Sequence, residues 1–221
     1  FGSMPLPYTN RLLGLATALY EQFEQAKIPF GLAYIRGSRS RFKRLLEGKT
    51  DFVVCSQFSA ELALQENRSL MQVMKFGEET YNGKIVQVFS NSSNYEICDG
   101  MRIGIDETSY DQKAIAHIVC RNKKVNFIPL SYVEIFSKLR QGIIDATFWN
   151  MDEIKEKEPD LSVVDLTGDE LEYITKKMCQ AVIFIREDNS FYAPLIQEVL
   201  DLQKIKRVQL AVIEGKKVPS Y

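Results

Sequence analysis

The chain has 221 residues, 45% of them hydrophobic and 26% charged, so it carries enough apolar side chain for a buried core and is neither disordered nor fibrous. That length fits one large domain or two lobes of about a hundred residues each. With 28 Lys and Arg against 29 Asp and Glu, the net charge of −1 gives no global field toward nucleic acid or an anionic membrane.

In chain order, Leu12, Leu13, Ala16, Leu19, Tyr20 and Phe23 recur at helical spacing, and Ile28-Pro29 ends the pattern. The run 30–35 predicts a buried strand, 39–47 a helix, 51–55 a strand and 57–65 a helix. Two strands follow at 70–76 and 84–90, then an Asn- and Ser-rich turn or crossover over 90–94. The pattern restarts with a strand at 101–105, a helix over 109–121, a strand at 125–130, a helix over 132–141 and a strand at 144–149. Late strands are predicted at 162–166 and 180–185, and a helix over 191–203 closes the chain. Short β-rich runs alternating with helical-period segments predict an α/β fold.

The four cysteines, Cys55, Cys98, Cys120 and Cys179, form no C-x-x-C pair, and the single histidine, His117, has no partner spaced for a metal site. Three of them sit in or beside apolar runs, which predicts small buried hydrophobes in a reducing compartment and a cytoplasmic protein. No metal or cofactor is expected. No run approaches the roughly 18 apolar residues of a membrane span, so no membrane partner is expected either. Phe1-Gly2-Ser3 ahead of Met4 reads as an expression-tag remnant.

An internal repeat decides the organisation. Phe42, Leu45, Gly48 and Asp51 recur without gaps as Phe136, Leu139, Gly142 and Asp145, an offset of 94 from 42 to 136. Phe and Leu three apart share one helix face, Gly supplies a helix stop, and Asp opens the next strand. With this step in each half, and a tail over 180–203 that reads as strand, charged turn and amphipathic helix, the chain resembles the type II periplasmic-binding-protein fold. Solute receptors and the effector domains of LysR-like regulators share that fold. More narrowly, the chain resembles the C-terminal effector-binding region of the YhfZ family of bacterial regulators, which in full length carry an N-terminal helix-turn-helix segment.

The resemblance implies an α/β fold of two lobes, each a mixed sheet flanked by helices: lobe one over 4–90 plus 180–221, lobe two over 91–179. A ligand would lie between them, beyond the strand ends and at helix N-termini. It also implies a homodimer, with DNA reached only through an N-terminal segment that these residues do not include.

The candidate contacts sit at four strand-to-helix turns. After the first predicted strand stand Arg36, Gly37, Ser38 and Arg39, where glycine permits close approach and a guanidinium grips a carboxylate or phosphate. Over 36–49 six basic residues face one acid, a local +5, which points to a small anionic metabolite; Lys43, Arg44 and Lys49 read as a solvated helix face. Ser56, Gln57 and Ser59 follow the second strand, where plain N-capping by Ser56 competes with a ligand role. The matching turn of lobe two offers Asp106, Thr108, Ser109 and Tyr110, with Thr108 and Asp111 spaced as a capping pair. Ser131 and Glu134 are spaced as a capping box of structural purpose. Trp149 and Asn150 end the repeated strand, the tryptophan either stacking on a ligand or filling the core.

No G-x-S-x-G, H-E-x-x-H, P-loop or dinucleotide fingerprint is present, so an enzyme is not indicated. The expectation is a cytoplasmic effector-binding domain of a transcriptional regulator. The alternatives are an extracytoplasmic solute receptor of a transporter, an enzyme on the same fold, and an interaction domain with a vestigial cleft.

Overall fold

In the computed structural model, which describes residues 1–90 and 96–220, the chain forms ten strands and nine α-helices among the described residues. The strands are β1 (Gly2–Met4), β2 (Leu32–Tyr34), β3 (Phe52–Ser56), β4 (Leu70–Gly77), β5 (Ile85–Phe89), β6 (Arg102–Ile105), β7 (Asn126–Pro129), β8 (Ala146–Asn150), β9 (Ser162–Asp165) and β10 (Ala181–Arg186). The helices are α1 (Asn10–Gln25), α2 (Ser38–Leu46), α3 (Gln57–Glu66), α4 (Tyr110–Val119), α5 (Ile135–Arg140), α6 (Met151–Lys157), α7 (Asp169–Met178), α8 (Tyr192–Val199) and α9 (Leu202–Ile213).

Two five-stranded sheets result, in the orders β2-β1-β3-β10-β4 and β7-β6-β8-β5-β9. They follow one plan. Three strands run parallel, with β1 and β6 between their partners, and a fourth strand, β10 or β5, pairs antiparallel. The antiparallel strands are exchanged along the chain: β5 precedes the other strands of its sheet, and β10 returns to the first sheet after the second is complete. Each lobe thus contributes to the path of the other, and the chain crosses between them over 78–84 and again ahead of β10.

This pairing revises the sequence reading in two places. The strand at 84–90, counted there with lobe one, belongs to the second sheet, bonded to β8 and β9. Ile85, Val86, Val88 and Phe89 are buried on both faces, which suits an interior strand. Residues 1–3, read as a tag remnant, are part of the fold, since Gly2 and Ser3 pair with both β2 and β3 and are buried. The turn expected over 90–94 lies outside the described residues from Asn91 onward.

The repeat now has a physical meaning. Leu45 and Leu139 are fully buried at equivalent places on α2 and α5, and the helices exit through Gly48 at φ +70° and Gly142 at φ +65°, a region that favours glycine. Each repeated aspartate then grips the start of the strand, β1 or β6, that lies between two parallel partners. The Asp51 backbone N–H donates to the Phe1 carbonyl at 2.7 Å while its carboxylate receives the Phe1 ammonium at 2.7 Å. The Asp145 N–H donates to the Arg102 carbonyl at 2.8 Å, and its carboxylate accepts the Arg102 N–H at 2.7 Å and the guanidinium at 2.6 Å.

The first core is seated under α1, whose Leu12, Leu15, Leu19 and Phe23 pack with Phe52, Val54, Ile183 and Ile185. The second gathers Ile103, Ile115, Ala146, Phe148 and Met178. The helix expected over 191–203 is two helices, because the backbone turns extended at Leu200 and the Asp201 carboxylate caps α9 through Gln203 and Lys204. Helix α9 then runs along α1, joined to it by the Gln209 amide on the Arg11 carbonyl at 2.9 Å. Lys204, Lys206 and Arg207 face outward from it.

Candidate functional site

Between the two sheets lies a cleft of about 160 Å³ lined from both lobes. Lobe one supplies the segment between β1 and α1, the turn from β2 into α2, and Tyr81; lobe two supplies the turn from β6 into α4, the end of β8 and the start of α6. Strand ends and helix starts therefore face the space from both sides, as the repeated strand-to-helix step dictates.

The lobes are drawn together by side chains that cross the gap. The Ser56 and Ser59 hydroxyls at the start of α3 each donate to Asp111 Oδ1 of α4 at 2.8 Å. Arg11 of α1 holds Asp152 of α6 through Nε at 2.6 Å, and the Gly83 N–H joins the same carboxylate at 2.8 Å. Lys177 reaches Glu61 at 2.7 Å, and the Ser38 hydroxyl oxygen accepts the Tyr110 N–H at 3.1 Å. Tyr8 stacks on Tyr132 across the mouth at 5.2 Å between ring centres.

Arg41 stands out electrostatically. Its side chain lines the cleft yet is only 2% exposed, and it cannot lose its charge. Nη1 donates to the Ile35 carbonyl at 2.8 Å and Nη2 to the Tyr81 hydroxyl at 2.9 Å, leaving three of the five N–H groups of a guanidinium without partners among the described residues, Nε among them. Among the described residues no carboxylate makes an ion pair with it. Tyr81 is no substitute, because burial pushes its hydroxyl well above the usual range and keeps it neutral. Asp111 feels the charge of Arg41, but its one bonded oxygen serves the two serines, and burial raises its carboxyl to about 6.

Of the residues singled out from sequence, Arg36, Gly37, Ser38, Asp106, Ser109, Trp149 and Asn150 line the cleft. Arg36 lies 5.9 Å from the ring centres of both Tyr8 and Tyr132 and donates to the Tyr8 hydroxyl at 2.8 Å. Arg39 points to the outer rim instead, 4.7 Å over the Tyr110 ring and 3.5 Å from Glu66, which also takes the Tyr110 hydroxyl. Ser56 and Ser59 act through Asp111, Gln57 bonds Glu61 along its own helix, and Thr108 bonds Asp106 through N–H and hydroxyl at 2.9 and 2.7 Å.

The expected capping pairs differ in register. Ser109, not Thr108, caps α4, accepting the Gln112 N–H at 3.3 Å, which frees Asp111 to cross the cleft. Ser131 and Glu134 do bond each other, but α5 begins only at Ile135. Trp149 is 5% exposed and gives its indole N–H to Glu153 at 2.9 Å, so it is packed and lines the cleft at once. Arg41, Asp111, Tyr8, Tyr81, Tyr132 and Glu153 were not singled out as contacts. For Arg41 a signal existed: with Ser38, Phe42 and Leu45 it forms an i, i+3, i+4, i+7 stripe, the buried face of α2.

The YhfZ C-terminal domain family matches residues 1–221. The protein YhfZ of Escherichia coli (strain K12) is 30% identical over 221 residues, covering 99% of this chain and 70% of that protein. The crystal structure of YhfZ from Shigella flexneri superimposes with a TM-score of 0.80 at 32% identity, covering 99% of this chain and 91% of that one. The periplasmic aliphatic sulphonate binding protein SsuA from Escherichia coli aligns with a TM-score of 0.70 at 12% identity over 97% of this chain and 73% of its own, a likeness of fold alone. Both sheets flanked by helices, in two lobes, are thus of the periplasmic-binding-protein type.

Proposed function

Since the chain belongs to the YhfZ C-terminal domain family and has a two-lobed solute-binding type of fold, we propose that it is the effector-sensing part of a cytoplasmic bacterial transcriptional regulator. A small anionic metabolite enters the cleft, favours the closed lobes by its differential affinity for them, and so biases a DNA-binding segment outside these residues. The observation that carries this reading is Arg41, a buried permanent cation in the wall of a two-lobed cleft with no ion pair among the described residues. A charge so placed calls for an anion. In this assignment Arg36, Gly37, Ser38, Asp106, Ser109, Trp149 and Asn150 contact the ligand, while Arg39, Ser56, Gln57, Ser59, Thr108 and Tyr110 serve closure. The working assembly is a homodimer.

Thermal shift against a panel of small acids tests the reading, because a ligand specific to the folded state raises its melting temperature by mass action. Arg41→Gln, with its own melting temperature measured first, is expected to weaken a stabilising acid by tenfold or more, in line with loss of a charge-assisted bond. Equal affinity in the variant would remove Arg41 as the anion contact. The periplasmic setting named for a structural neighbour favours a second reading, a solute receptor. Fractionating cells that make the native protein separates the two, a periplasmic location supporting the receptor.

A further inference from the structure

The walls of the cleft say more about its ligand than its charge. Leu6, Leu12, Ile85, Ile115, Phe148 and Trp149 present apolar surface from both lobes. The polar groups between them are largely committed to the protein. Thr9, Ser109 and Asn150 each cap a helix. Gln112 uses both ends of its amide, accepting the Asp106 N–H at 2.5 Å and donating to the Phe148 carbonyl at 3.1 Å. A sugar or polyol, which needs many hydrogen bonds at once, finds few partners here.

Donors are among the groups left uncommitted. Arg41 keeps three N–H groups, and the Ser38, Ser109 and Tyr81 hydroxyls accept one bond each while their own hydrogens have no acceptor among the described residues. On the facing wall Asp106 takes both groups of Thr108 and Asp111 the two serines, each through Oδ1 alone, and Glu153 is held by Tyr132, Trp149 and Lys157. These unmet donors fit an anionic head. The space of about 160 Å³ matches a body near the size of benzene, which a cavity of about 150 Å³ admits.

We propose that the cleft takes a small monoanion with an apolar body, its head on Arg41 and its body against Leu12, Ile85, Ile115 and Phe148. This rests on the ligand-binding reading above and names the class of ligand. Calorimetry of the intact chain with acetate, propanoate, butanoate, pentanoate and 4-methylpentanoate tests it without any substitution. Affinity is expected to rise about fourfold per added methylene until the space is full.

If acetate matches pentanoate, the ligand class is overturned while the cleft remains a binding site. Should none of these acids bind, a broader thermal-shift panel tells the two failures apart. A stabilising compound of another class overturns only the apolar monoanion, and no stabilising compound at all overturns the effector-binding reading with it.

Discussion

Burial in the closed interlobe site raises the Asp111 carboxyl from 3.8 to about 6, against the pull of the Ser56 and Ser59 hydroxyls and the Arg41 guanidinium. Because the folded value lies above the unfolded one, the folded chain holds this proton more tightly. Its favourable contribution is complete below about pH 4 and is lost as pH rises through about 6. The full swing amounts to at most about 3 kcal/mol for a shift of this size. Other acids act oppositely: Arg102 bonds hold the Asp145 carboxyl below its usual range, so its stabilisation disappears as pH falls. The comparison must therefore be differential. Urea midpoints of the native sequence and Asp111→Asn, measured from pH 4 to 7, are expected to converge toward the acid end and diverge toward pH 7, with the variant relatively more stable there. Parallel curves would mean that Asp111 ionises as freely as in the unfolded chain.

At the scale of elements, the repeated aspartates do the same task in different surroundings. Asp145 is 25% exposed and serves both backbone and guanidinium of Arg102, whereas Asp51 is 41% exposed and holds the Phe1 ammonium. Asp145→Ala leaves a part-buried N–H unpaired and is expected to cost about 2 kcal/mol, while Asp51→Ala costs under about 1 kcal/mol, as exposed pairs do. Chemical denaturation of both variants checks the ranking. This helix-Gly-x-x-Asp step was legible in sequence because it is local: face, stop and strand start lie within ten residues. Strand β1 was not, since Gly2–Met4 has no periodicity and owes its place to the partners on either side. Helix α7 was missed although Leu171, Ile174 and Met178 stand at helical spacing and pack on the second core, because that stripe is three residues long and lies among five charged ones. Among site residues, the turns were legible and the partners across the cleft were not. Nothing in the spacing of Ser56, Ser59 and Asp111 announces that the three meet.

For the whole molecule the question is what sets the balance between open and closed lobes. Gly37 marks the closest approach at the turn from β2 into α2. Its φ is +71°, and a Cβ built there would lie 2.5 Å from Thr108 Oγ1 and 2.7 Å from the Thr108 carbonyl oxygen on the opposite lobe. A threonine side chain can turn aside, but the carbonyl belongs to the backbone of the β6–α4 turn, which Asp106 and Ser109 hold in place. Alanine therefore cannot sit at position 37 with the lobes as they are, although neither core includes that position. Gly37→Ala is expected to fold with modest loss of stability, about 1 kcal/mol from its left-handed backbone, and to populate an opened arrangement. Small-angle scattering should then show a larger radius of gyration than the native sequence. Every 1.4 kcal/mol by which closure is disfavoured lowers the affinity of a closed-state ligand tenfold once the open form dominates, so binding should weaken in step with the opening. Adding Thr108→Gly removes the side-chain contact and leaves the carbonyl, so it should restore only part of both effects. Opening without weakened binding would separate ligand capture from lobe closure, and the effector would then have no hold on the shape of the molecule.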